Sequence, residues 1–170
     1  GLLKGDAEEA ETPDFAGSKK TIKEWVAQQP VTNLVIEAPL SAAFRSDGQP
    51  IGRKGEKDDK GQPRYWYMGA GAGVMLATLY LLRDLQADSS VGEHEVRLFE
   101  GLVSFKSGGK KSDHAADVKA IREVVKGRPG TDGQIREAAP MENGGDIQSI
   151  GTLLGMDLGG IPPIIIASAP

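Results

Sequence analysis

The chain has 170 residues, 39% hydrophobic and 26% charged, which suits one domain with a real core; it has no cysteine, which excludes disulfides, thiolate catalysis and cysteine-based zinc sites. A formal net charge of −4 argues against a protein that coats duplex nucleic acid through a uniformly positive surface. No apolar run reaches the ~18 residues a membrane span needs and no signal peptide is visible, so the expectation is one cytoplasmic domain over 1–170 with no membrane partner.

The opening GLLKGD (1–6) reads as the end of a strand, followed by a polar, turn-rich stretch. Ser18 is placed to cap the helix KKTIKEWVAQQ, in which Ile22, Trp25 and Val26 recur at helical spacing and which Pro30 closes. VTNLVIEA (31–38) is then a strand. Within it LVIEAPLS carries Glu37 out of an apolar run and stops at Pro39. A buried, unpaired carboxylate costs on the order of several kcal/mol. Glu37 therefore either reaches water at the sheet edge or belongs to a site.

Residues 42–64 hold Gly48, Pro50, Gly52, Gly55, Gly61 and Pro63 among many charges and read as a long flexible loop, of the kind that is usually functional or disordered. Its basic part, with Arg45, Arg53, Lys54 and Arg64, is either a solvated loop or a phosphate-contacting one. A long apolar helix follows from about Gly71 to Leu85. EVRLFEGLVSF (95–105) alternates as a second strand, KSGGKK (106–111) is a second basic loop, and SDHAADVKAIREVVKG is an amphipathic helix over 113–126 stopped by Gly127. A Gly/Pro-rich segment (127–145), a short helix (146–154) and an apolar final strand (161–168) complete the chain. Helices alternating with strands predict an α/β fold.

Several motifs fail. GAGAG (69–73) lacks the third glycine of a dinucleotide fingerprint, since Val74 or Leu76 stands at that place; close helix packing accounts for these glycines better. GGKKS (108–112) is no phosphate loop, because Ser104 replaces its first glycine and Lys111 stands where Ser or Thr belongs. Neither G-x-S-x-G nor H-E-x-x-H occurs.

The helix over 113–126 is more informative. At about 100° per residue, Val118, Ala120, Ile121, Val124 and Val125 share one arc and Lys119, Arg122, Glu123 and Lys126 the other. Asp117 falls within the apolar arc, with Asp113 one turn earlier and His114 three residues earlier. Capping explains Asp113 well. It explains Asp117 poorly, since that side chain faces the core. Two carboxylates brought together from a strand end and a helix start repel each other unless a cation lies between them. Mg²⁺ and Mn²⁺ prefer oxygen ligands and Mn²⁺ also accepts imidazole, and two such ions clamp a phosphodiester for attack by water.

This arrangement resembles the ribonuclease H-like superfamily. LVIEAPLS is similar to the strand carrying that superfamily's second acid, and HAADVKAI to the helix motif of RuvC-type Holliday junction resolvases. The same pair, with QPRYWY and RLFEGLVS, also resembles an RNase H-like family of unknown function, which alone brings in Glu100. The resemblance covers about 31–126. It implies a central mixed sheet flanked by helices. One departure is that the superfamily usually begins with a strand holding its first Asp, whereas here only GLLKGD precedes the first helix. The resemblance further implies a Mg²⁺- or Mn²⁺-dependent nuclease, with Glu37, Asp117 and Asp113 on the metal and Glu37, Asp117 and His114 in catalysis. Arg45, Arg53, Lys54 and Arg64 would contact nucleic-acid phosphates. Two alternatives stay open: a non-catalytic RNase H-like module that binds nucleic acid or protein, and a small-molecule enzyme acting on a phosphorylated metabolite through a closed pocket near 69–73.

Overall fold

Alternating apolar residues and two capped helices build the part of the molecule that matters here. The computed structural model describes residues 2–56, 65–67, 70–103, 113–127 and 133–168. Its elements in chain order are α1 (Phe15–Ala27), β1 (Val31–Ile36), β2 (Ser41–Phe44), β3 (Pro50–Ile51), α2 (Ala70–Gln86), α3 (Ser89–Gly92), β4 (Glu95–Val103), α4 (His114–Val125), β5 (Gly133–Arg136), β6 (Asp146–Ser149), α5 (Ile150–Leu153) and β7 (Ile164–Ala167). The fold is α/β, with a mixed sheet in the order β1-β4-β7-β5 and a smaller antiparallel sheet β3-β2-β6. In the larger sheet β1, β4 and β7 run parallel and β5 antiparallel. Among the described residues no helix is long and apolar enough to cross a membrane.

Side chains on successive strand residues point to opposite faces. Leu34 and Ile36 of β1, with Val96 and Leu98 of β4, therefore pack on one face against Ile22 and Val26 of α1. Val35 and Phe99 pack on the other face against Ile121 and Val124 of α4 and Ile165 of β7. β1 and β4 pair in register from Val31 opposite Glu95 to Ile36 opposite Glu100. Two ion pairs fasten α1 to α2 and to the N-cap of α3, Lys19 to Asp84 at 2.8 Å and Lys23 to Asp88 at 2.6 Å. Hydrogen bonds from the Lys23 ammonium and from Ser90 hold the Asp88 carboxyl down at about 2.

Several sequence expectations change. Asp14, not Ser18, caps α1: its carboxylate accepts from the Gly17 amide at 2.7 Å, so the helix starts earlier. The expected loop over 42–64 is not one loop, because 42–44 lie in β2 and 50–51 in β3. Gly48, with φ of 81°, closes the hairpin between them. Residues 57–64, including Arg64, and the basic stretch 106–111 lie outside the described residues. The helix expected over 146–154 begins as strand β6, drawn out by its ladder with β2, and only then turns into α5. Of GLLKGD, the described residues 2–6 contribute no strand to either sheet; Leu2 makes one bridge with Glu11. The close-packing reading of GAGAG holds at Gly71, where a Cβ would fall 1.9 Å from the Trp66 carbonyl oxygen, but not at Gly73, which faces open space.

Candidate metal centre

Glu37 follows the last residue of β1, at the carboxyl end of the parallel strands. This is where open α/β sheets place their ligand sites. The turn that carries it is held tightly. The Ala38 amide bonds to the Ile36 carbonyl at 2.9 Å, and the Ile150 amide bonds to the Leu40 carbonyl at 3.0 Å. Pro39 between them removes one backbone freedom. Gly101 of β4 lies beside the turn: a Cβ on it would stand 3.6 Å from the Glu37 Cα and only 2.7 Å from the end of Ile121. The bare backbone of Gly101 lets α4 lie close over this strand end.

α4 brings the other two donors. Asp113 is its N-cap, its Oδ1 accepting from the Ala115 amide at 3.0 Å and the Ala116 amide at 3.2 Å. With the helix start fixed there, Asp117 turns inward to 1% exposure while His114 stays at the rim, 68% exposed. The His114 Nδ1 lies 3.9 Å from the Asp117 Oδ2. Glu37, His114 and Asp117 each offer one ligand atom, and these atoms all lie within 4.8 Å of one another. Ligands about 2.1 Å from one ion sit about 3–4 Å apart. Two carboxylates and an imidazole at this spacing form a group that can hold a metal ion after small side-chain adjustments.

The other expected site residues part company with this group. Asp113 is a cap, and its ligating oxygen is already engaged by two helix amides. Replacing it with Ala is expected to cost about 1 kcal/mol of stability and to weaken Mn²⁺ binding far less than loss of Asp117 does, as thermal melts and calorimetric titration of the folded protein would record. Arg45 is exposed but held in a two-point ion pair with Glu142, at 2.9 and 2.8 Å. Lys54 is exposed. On α4, Val125 is exposed and not part of the packed arc.

Arg53 is the clearest departure. It is 0% exposed and cannot reach outward to a phosphate. Its Nη1 donates to the Ser41 Oγ at 2.8 Å and the Glu100 Oε2 at 2.7 Å, and its Nη2 to Glu56 and to the Glu100 Oε1, both at 2.7 Å. Tyr67 lies under the guanidinium, 5.7 Å from ring centre to Cζ. The smaller sheet and the β4 strand are thus locked together by one arginine and two buried glutamates. Burial works against the Arg53 charge, but Glu100 and Glu56 together hold its pKa above the usual guanidinium value. Burial likewise pushes the Glu100 carboxyl above the usual glutamate range, against the pull of Arg53. Glu56 went unnoticed in the sequence; the available signal was an Arg and a Glu three apart across a glycine turn, together with a Glu in the apolar interior of β4.

A cavity of about 420 Å³ runs along β1 between Trp25 of α1 and Val118 of α4 and reaches Glu37. Among the described residues, none of its lining comes from 71–73, and Gly69 lies outside the described residues. No family model, curated protein or solved structure matches the chain.

Proposed function

We propose that the chain is an RNase H-like domain in which Glu37, Asp117 and His114 hold one Mn²⁺ or Mg²⁺ ion and which hydrolyses phosphodiester bonds in nucleic acid. The observation that carries this reading is the convergence of two carboxylates and an imidazole at the carboxyl end of parallel strands. The ion would supply positive charge to a phosphoryl oxygen and favour attack by water. Glu37 and Asp117 balance its charge. His114, open to solvent at the helix start, completes the donor set and suits Mn²⁺, which accepts imidazole.

The donor count favours a second reading. Among the described residues the group supplies two carboxylates, enough for one ion, while a two-ion clamp draws on more. That fits a module that binds nucleic acid through metal without cutting it.

Incubation of the protein with single-stranded, duplex and branched DNA and RNA in the presence of Mn²⁺ tests the proposal. Cleavage that EDTA abolishes and that Glu37→Gln lowers by about 100-fold or more is expected. Metal-dependent binding without cleavage of any substrate would leave the second reading and remove the first.

A further inference from the structure

We propose that Glu100 is a positioning residue for the metal group: through Leu40 it fixes the strand-end turn that presents Glu37. This rests on the metal reading above. Glu100 sits opposite Ile36, the residue before Glu37, in the β1–β4 ladder. Its Oε2 accepts the Leu40 amide at 2.8 Å, and the same oxygen accepts Arg53 Nη1 at 2.7 Å. Arg53 in turn grips Ser41, the next residue along. Leu40 is also held through its carbonyl by the Ile150 amide. The turn 37–41 is therefore anchored at Leu40, three residues beyond Glu37, by a side chain on a strand that contributes no ligand itself. A ligand whose backbone is fixed before the ion arrives loses little freedom on binding. Glu100, at 0% exposure, is shut off from solvent and stands outside the Glu37, His114 and Asp117 group. Its effect runs through Leu40.

Two substitutions separate this role from a charge effect and from simple stability. Glu100→Gln keeps an oxygen where Oε2 stands, able to accept from the Leu40 amide and Arg53 Nη1, and removes the charge; its amide nitrogen replaces Oε1 and gives up only the bond from Arg53 Nη2, which Glu56 still accepts. Glu100→Asp keeps the charge and withdraws the oxygen by one methylene, so it cannot hold both. Mn²⁺ affinity is measured by calorimetry on each folded protein, with circular dichroism checking the fold. The expected result is that Glu100→Gln binds Mn²⁺ like the wild type, whereas Glu100→Asp binds about 10–100-fold more weakly, the usual loss for a residue that orients a ligand. The reverse order, Gln weak and Asp unchanged, would show a through-space charge effect and overturn the proposal. Equal affinity in both variants, with only lower melting temperatures, would reduce Glu100 to a structural residue. Absence of Mn²⁺ binding by the wild type overturns the metal reading itself, and this inference with it.

Discussion

Asp117→Asn is expected to abolish specific Mn²⁺ binding while leaving the fold in place. The substitution preserves shape and removes one of the two negative charges that balance the ion. Loss of an orienting partner alone weakens metal sites about 10–100-fold, so loss of a direct ligand should cost at least about 100-fold. Asp117 stands in the first turn of α4, where a negative charge favours the helix by about 0.3–1 kcal/mol. Relief of repulsion from Glu37 offsets that loss, and the two proteins should melt within a few degrees of each other without metal. With free Mn²⁺ at about 100 times its dissociation constant, the wild type should gain about 2.7 kcal/mol and the variant essentially nothing. Paired melts with and without Mn²⁺ check both halves. A variant that still gains stability from Mn²⁺ would place the ion elsewhere.

The largest stability effect is expected at Arg53. Arg53→Met leaves Glu56 and Glu100, at 1% and 0% exposure, without their shared guanidinium. Breaking a buried ion pair from one side costs about 3–5 kcal/mol, a large part of a domain's total stability. The loss should depend on pH in a definite sense. Burial already raises the Glu100 carboxyl above its ordinary value, and without Arg53 it rises further. A carboxyl whose pKa is higher folded than unfolded favours folding most below its unfolded pKa. That advantage fades as pH climbs toward its folded pKa. Denaturation of Arg53→Met by urea at pH 4 and pH 7 should therefore show a smaller deficit against wild type at pH 4. An equal deficit at both pH values would mean that lost packing, not stranded charge, governs the variant.

The sequence made some of this legible and hid the rest for physical reasons. β1 and β4 were readable because their apolar alternation meets helices on both faces, and α4 because its caps and its 3.6-residue repeat agree. Asp117 stood out as a charged residue on an apolar arc, and the structure brings it together with Glu37 and His114. β6 was misread because Asp146–Ser149 is polar and earns its strand conformation only through pairing with β2, a partner far along the chain. Arg53 was misread for the same reason: between Gly52 and Gly55 it has the look of a loop cation, and only its long-range meeting with Glu100 explains its burial. Local patterns revealed elements and an inward-facing acid. They could not reveal which distant carboxylate would claim which base.

The central claim is that Glu37, His114 and Asp117 hold one divalent ion between β1 and α4. Crystals of the protein grown with Mn²⁺ test it most directly, through an anomalous difference map recorded with X-rays on the high-energy side of the manganese absorption edge. The account predicts one strong peak about 2.1–2.3 Å from an oxygen of Glu37, an oxygen of Asp117 and a nitrogen of His114. A map with no peak between these side chains, or with its strongest peak elsewhere on the chain, would contradict it.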